Sequence, residues 1–148
     1  MKKRRNQYED KHQIAFFDWV AIKANQDERY DNIIAIPNQG TRGGVRWGQS
    51  RRREGLRKGF PDIAILGVGK GYAGAFVELK ISPNRPSSEQ LDWLRRLKKA
   101  RYWAGIIWSS QELIDFTEYY IEGKNKAGEI LFNTGILEKN WKPKKEIN

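Results

Sequence analysis

Three residues on two short apolar segments have the types and spacing to do chemistry: Asp62, Glu78 and Lys80. Asp62 stands in Phe60-Pro61-Asp62-Ile63-Ala64-Ile65-Leu66. Sixteen residues after it, the segment Gly74-Ala75-Phe76-Val77-Glu78-Leu79-Lys80 ends in charge. Both segments read as strands, in which alternate side chains share a face, so Glu78 and Lys80 project together, roughly 6 to 7 Å apart along the chain. Val77 and Leu79 take the other face. Two carboxylates and an amine crowded on a half-buried surface are costly unless a cation lies between the acids and the lysine faces an anion. A hard divalent ion on oxygen ligands, with phosphate beside it, satisfies all three groups. The plain alternative is an exposed Glu78–Lys80 pair on a sheet edge.

Whether Asp62 joins the other two depends on how the strands pair. The link between them, about seven residues around Gly67-Val68-Gly69-Lys70-Gly71, is glycine-rich and short. It suits an antiparallel hairpin better than a helical crossover. Directly opposed residues share a face, so Asp62 meets Glu78 and Lys80 only if it pairs with position 78 or 80. Ile63, Ile65, Val77 and Leu79 then form an apolar face for helices to cover.

The surrounding elements follow from periodicity. Gln7 to Asn25 reads as a helix with Ile14, Phe17, Ala21 and Ala24 as its core-facing stripe. Glu9 and Gln13, four apart, are neighbours on its surface. Asn32 to Ile36 reads as a short strand, and Pro37-Asn38-Gln39-Gly40 as a turn. After Lys80, Pro83 and Pro86 end the strand. Ser87 or Ser88 caps a helix running to about Ala100, with Leu91, Leu94 and Leu97 inward. Gln90 borders that stripe and needs a partner, for which a local backbone group suffices. Tyr102 to Trp108 is a continuous apolar run, suited to a central strand covered on both faces. Ser110 caps a helix through Leu113, Phe116, Thr117, Tyr120 and Ile121. The order α-β-β-β-α-β-α describes an α/β fold, a mixed β-sheet flanked by helices.

The chain has 148 residues, enough for one well-buried domain, with 28 Lys and Arg against 18 Asp and Glu and a net charge of +10. Such an excess favours a polyanionic partner. No long apolar stretch or signal-like segment suggests a membrane. The absence of cysteine excludes disulfides and thiolate zinc sites, and the single histidine, His12, cannot build a histidine-rich centre. Any metal must be held by oxygen, which fits magnesium or manganese. No P-loop or dinucleotide fingerprint is present, so no nucleotide cofactor is expected.

From Thr41 to Lys58 the chain carries Arg42, Arg46, Arg51, Arg52, Arg53, Arg57 and Lys58, interrupted by glycines and by Trp47. Arginines fork onto phosphate oxygens, glycines allow close approach of the backbone, and an indole can stack on a base. This run is the expected DNA-contacting segment; the alternative is a surface helix over Gln49 to Arg57 whose arginines only solubilise it.

Pro61-Asp62 followed by Glu78-Leu79-Lys80 resembles the signature of PD-(D/E)xK nucleases. With Glu9 and Gln13, Ile36-Pro37-Asn38, and Ser88-Glu89-Gln90 leading into Leu91 to Leu97, the chain is similar more narrowly to the VRR-NUC family in its stand-alone bacterial and phage form. Residues 124–148, Lys-rich and loosely patterned, read as a basic tail, an edge strand or a subunit contact. The resemblance implies the PD-(D/E)xK mixed sheet over residues 1–123. It implies that Asp62, Glu78 and the Leu79 carbonyl hold Mg²⁺ or Mn²⁺, that Glu9 reaches the metal from the first helix, and that Gln90 lies beside the site. Lys80 would orient or deprotonate the attacking water. It further implies a DNA endonuclease, cytoplasmic in a bacterial or phage-infected cell, resolving Holliday junctions as a homodimer. A silent DNA-binding module and a flap or nonspecific nuclease are the alternatives. One departure is Arg101, where relatives often carry a glycine at the helix exit.

Overall fold

The computed structural model describes residues 2–37 and 53–134, with side chains from Tyr8 onward. Along the chain run α1 (Lys2–Ala24), a 3₁₀ turn (Glu28–Asn32), β1 (Ile33–Ala35), β2 (Ile63–Gly69), β3 (Tyr72–Leu79), α2 (Ser88–Lys99), β4 (Trp103–Ile107), α3 (Ser110–Glu122) and α4 (Lys126–Thr134). The strands form one mixed sheet in the order β1-β2-β3-β4.

β2 and β3 are an antiparallel hairpin, as their short glycine-rich link predicts, with Ile63 opposite Val77 and Ile65 opposite Ala75. The link is shorter than expected. Only Lys70 and Gly71 lie outside the strands, and both have positive φ, 53° and 87°, as a two-residue hairpin turn demands. Gly67 to Gly69 belong to β2, where the register shifts between Leu66 and Gly69. β1 adds antiparallel to β2. β4 lies parallel to β3 after the α2 crossover, with Val77 opposite Gly105 and Leu79 opposite Ile107.

Parity along the ladders sorts the two faces. Ile63, Ile65, Ala75, Val77, Leu79, Trp103 and Ile107 share one face, all buried, and Trp103 meets Phe116 of α3 at 4.2 Å between ring centroids. Ala64, Phe76, Glu78, Ala104 and Ile106 share the other. Phe60 links Phe76 at 5.5 Å to Trp93 of α2 at 5.1 Å, which places α2 on that second face. Every residue of β4 is buried, as a central strand between two helical layers should be.

The rotation of α1 departs from the expected stripe. Phe16 and Val20, four apart, are its buried residues, whereas Ile14 is 61% exposed and Ala21 is also exposed; Phe17 and Ala24 are only partly buried. Apolar residues occur around the whole circumference of this helix, so periodicity leaves its rotation open. Packing on the core settles it, with Phe16 edge-on to Phe17 at 5.2 Å and Trp19 edge-on to Tyr30 at 5.4 Å.

Beyond Gly123, which ends α3 with φ 75°, residues Lys126–Thr134 form a helix rather than an arm or an edge strand. Phe132 packs on Tyr72 at 5.6 Å, and its carbonyl accepts the indole N–H of Trp103 at 3.2 Å. No described helix is long and apolar enough to cross a membrane.

Candidate active site

The hairpin register brings Asp62 opposite Glu78, because Ile63 and Val77 are paired one position further along. The condition on which the three-residue cluster depends is therefore met. Asp62 is anchored twice: its carbonyl accepts the N–H of Ile36 at 2.7 Å, and its Oδ2 accepts the N–H of Leu79 at 3.1 Å. Glu78 is 1% exposed. Its Oε1 lies 3.6 Å from Lys80 Nζ and accepts a hydrogen bond from Gln90 Nε2 at 2.5 Å. Its Oε2 is buried and has no hydrogen-bond partner. The Lys80 side chain is itself only 12% exposed, so this is no ion pair on a sheet edge.

Electrostatics follow from burial. Desolvation pushes the Asp62 carboxyl up to about 6, against the opposing pull of the Leu79 N–H and the Lys80 ammonium. Glu78 is pushed well above the usual carboxylate range, first by burial and then by the charge of Asp62, while Lys80 opposes both. Glu9 adds a further upward push on each. Both acids therefore hold a proton to higher pH than an ordinary carboxylate, and a cation between them would favour its release.

Gln90 is oriented by a capping box. The Ser87 hydroxyl accepts the Gln90 N–H at 3.2 Å, and the Gln90 Oε1 accepts the Ser87 N–H at 2.8 Å. With its carbonyl oxygen held at the helix start, the amide can only turn its NH₂ to Glu78. The local backbone bond and the bond to the site therefore coexist. Gly59 makes this approach possible. At φ 86° its ideal Cβ would fall 2.8 Å from the Glu89 carbonyl carbon and 2.9 Å from the Gln90 nitrogen, so only glycine lets the strand carrying Asp62 sit against the start of α2.

Glu9, on α1, accepts a hydrogen bond from Asn84 Nδ2 at 2.7 Å. Asn84 lies in the Ser82–Asn84 bend after β3, where its own N–H donates to the Ile81 carbonyl. His12 Nδ1 accepts the Ser110 N–H at 2.9 Å and so joins α1 to the start of α3. Among the described residues no group of three or more His, Cys, Asp or Glu side chains forms a metal-holding arrangement. The donors that do converge, Asp62 and Glu78, suit a hard cation. All are oxygens, both acids are driven toward neutrality, and Glu78 Oε2 has a free acceptor in a buried place.

No family model and no curated protein matches the sequence. A solved VRR_NUC domain protein, however, superposes with a TM-score of 0.66 over 80% of this chain and 91% of its own length, at 21% identity. The chain has the VRR-NUC fold. The similarity read from Pro61-Asp62 and Glu78-Leu79-Lys80 and the similarity of the folded chains thus lead to one architecture.

Within the VRR-NUC fold of this chain the remaining expected residues are placed as follows. Leu79 buries its side chain in the core and turns its N–H to Asp62. Arg53, Arg57 and Lys58 are exposed ahead of Gly59; Arg57 donates to the Leu56 carbonyl at 3.1 Å, and Lys58 Nζ lies 3.8 Å from Glu89. Arg42, Arg46, Trp47, Arg51 and Arg52 lie outside the described residues, as does the turn at Asn38. Asn84 was not read from the sequence, and nothing in its surroundings signals a partner on α1. The sequence reading leaves the cap between Ser87 and Ser88; the signal that selects Ser87 and pairs it with Gln90 is Ser-x-x-Gln, a capping-box pattern.

Proposed function

We propose that the protein is a metal-dependent DNA endonuclease in which Asp62, Glu78 and the Leu79 carbonyl hold Mg²⁺ or Mn²⁺, with Glu9 completing the site or serving a second ion. The observation that carries this reading is the pairing of two buried carboxylates across one hairpin, with Glu78 Oε2 lacking a partner and Lys80 beside them. A divalent ion bound there supplies a water of lowered pKa and charge for the scissile phosphate. Lys80 either takes the proton of the attacking water as a neutral amine, becoming the ammonium, or as the ammonium orients that water without losing its own proton; in either case the ammonium offsets charge building on the phosphate. Gln90 holds the Glu78 carboxylate in one orientation. Arg42, Arg46, Trp47, Arg51, Arg52, Arg53, Arg57 and Lys58 grip the DNA, in keeping with the net charge of +10.

The proposed substrate is a branched DNA, a four-way junction cut by a homodimer whose two-fold symmetry matches it; this part rests on the family resemblance. The test incubates the protein, and Lys80→Ala beside it, with labelled four-way junction, flap and matched duplex in Mg²⁺, Mn²⁺ or EDTA. Symmetric, metal-dependent nicking of the junction alone is the expected result. Cleavage of flap or duplex equally well would remove the resolvase assignment and leave a nuclease.

A second reading, a nuclease-fold module that binds DNA without cutting it, is favoured by one observation. Glu9 is held by Asn84, and no third acid joins Asp62 and Glu78 among the described residues. Tight binding with no cleavage in either metal would select it.

A further inference from the structure

The flank of α2 that begins at Gln90 continues away from the acidic pair with side chains suited to a nucleic-acid strand. Residues three apart are neighbours on a helix surface, so Gln90, Trp93 and Arg96 form one ridge beside the buried Leu91, Leu94 and Leu97. Trp93 is half-buried and Arg96 exposed, and the Arg96 guanidinium lies over the indole, 5.2 Å from its centroid. Trp93 also meets Phe60, two residues before Asp62, in a T-shaped contact at 5.1 Å. The indole is thus wedged between the segment that carries Asp62 and the helix that carries Gln90. Lys58, 59% exposed, reaches Glu89 at the first turn of the same helix, 3.8 Å away.

Closing the seam between strand and helix accounts for the burial of Trp93. It does not account for a guanidinium laid over the indole, or for a ridge whose foot hydrogen-bonds Glu78. Aromatic faces stack on nucleobases of any sequence, and guanidinium groups fork onto phosphates. We propose that the Gln90–Trp93–Arg96 flank is a second nucleic-acid contact, adjoining the Lys58 end of the arginine segment, along which the bound strand leaves the Asp62–Glu78 pair. Arg96 and Lys58 hold phosphates, and Trp93 packs on the adjoining sugar or base. The inference rests on the nuclease reading above.

Fluorescence anisotropy tests it, with a labelled single strand of about 30 nucleotides and its duplex as probes, a length that exceeds common site sizes. Working in EDTA reads binding without cleavage, and a salt series gives the slope of log K. Arg96→Ala and Lys58→Ala should each flatten that slope by about 0.9 on duplex or about 0.7 on single strand. Trp93→Leu should weaken binding about ten-fold, the loss of one stacked base. Arg95→Ala is the control. Arg95 is two residues beyond Trp93, hence on the opposite flank, exposed, and 3.4 Å from Asp92, so its slope should equal that of the wild type. A slope for Arg96→Ala equal to the control would overturn the inference, and a slope for Lys58→Ala that still flattens would leave the nuclease reading and its DNA segment standing. Failure of the wild type to bind either probe would overturn both. Flattened slopes in a protein that cuts nothing in Mg²⁺ would support the contact and remove only the nuclease reading.

Discussion

Asp62 and Glu78 face each other across the β2–β3 hairpin, and the buried Oε2 of Glu78 has no hydrogen-bond partner. Two acids so placed make the metal-free fold sensitive to pH in an unusual direction. Asp62 titrates at about 6 and Glu78 higher than an ordinary carboxylate. Over this range the folded chain therefore holds protons that the unfolded chain has released. The stabilisation is complete below about pH 4 and is lost as the pH rises through about 6, on the order of 3 kcal/mol from Asp62 alone. Asp27 and Glu122, whose carboxyls are pushed down by Arg29 and by Tyr30 respectively, act in the opposite sense but at lower pH.

In EDTA, Tm should accordingly fall between about pH 4.5 and 8, and Mn²⁺ should restore more of it the higher the pH. Asp62→Asn keeps an acceptor for the Leu79 N–H and loses the titration. Its Tm in EDTA at about pH 7.5 should exceed that of the wild type, and Mn²⁺ should no longer raise it. Thermal melts of the two proteins, with and without Mn²⁺, check both points. A wild type whose Tm rises over this pH range would contradict the burial argument.

Lys80 Nζ lies 3.6 Å from Glu78. Lys80→Ala should reduce cleavage at least about 100-fold, as expected when a group that stabilises developing charge is removed. DNA affinity in EDTA should change little, because the arginine segment holds the substrate. Paired gel and anisotropy assays read the two effects. Equal losses of cleavage and affinity would move Lys80 from the chemistry to the grip on DNA.

Gln90 joins helix capping to the site, since one end of its amide accepts from Ser87 and the other donates to Glu78. Gln90→Ala should weaken Mn²⁺ binding about 10- to 100-fold, the usual effect of removing a group that orients a ligand. Ser87→Ala should cost about 1 kcal/mol of stability through the lost cap and weaken Mn²⁺ binding by a smaller factor. The double variant should bind no more weakly than Gln90→Ala, because both changes act through one amide. Titration calorimetry with Mn²⁺ measures this; additive losses would mean that Ser87 does not act through Gln90.

The antiparallel hairpin and the shared face of Glu78 and Lys80 were legible, because a short glycine-rich link fixes direction and alternation fixes faces, whereas the register that sets Asp62 opposite Glu78 stays a condition at the level of sequence. The length of that link was not, because Gly67 and Gly69 read as loop residues although both belong to β2. The three leucines of α2 announced its buried stripe, whereas α1, apolar on every side, concealed its own and exposed Ile14. In the tail, the helix that seats Phe132 against Trp103 was not legible, because it depends on a surface that only the folded sheet supplies. Asn84 reaches Glu9 across 75 residues, a contact set by the course of the bend after β3, and no local pattern encodes it.

Gly59 is tested by Gly59→Ala. The added methyl would meet the backbone of Glu89 and Gln90 below 3 Å, at a φ that disfavours any side chain. Backbone cannot yield cheaply there, so α2 must move away from Asp62. The variant should lose about 1–3 kcal/mol of stability. Because Gln90 moves with the helix, it should also weaken Mn²⁺ binding about as much as Gln90→Ala does. A stable variant with unchanged affinity for Mn²⁺ would show that the approach of strand to helix is not what sets Gln90.

Arg101 occupies the left-handed position that follows α2, with φ 71°. The turn is a Schellman motif: the Tyr102 N–H donates to the Leu97 carbonyl at 3.0 Å and the Arg101 N–H to the Lys98 carbonyl at 3.1 Å. The carbonyl of Arg101 also accepts the Ala73 N–H at 3.3 Å, so this strained residue opens the β3–β4 ladder. A side chain in this conformation costs about 1 kcal/mol relative to glycine. Arg101 is exposed, and Arg101→Gly removes that strain without opening a cavity. The variant should be more stable by about 1 kcal/mol, a rise of roughly 2–4 °C in Tm for a chain of this size, with Mn²⁺ affinity unchanged because the turn lies at the far end of α2 from Gln90. A lower Tm would mean that the arginine side chain contributes more to the fold than its backbone conformation costs.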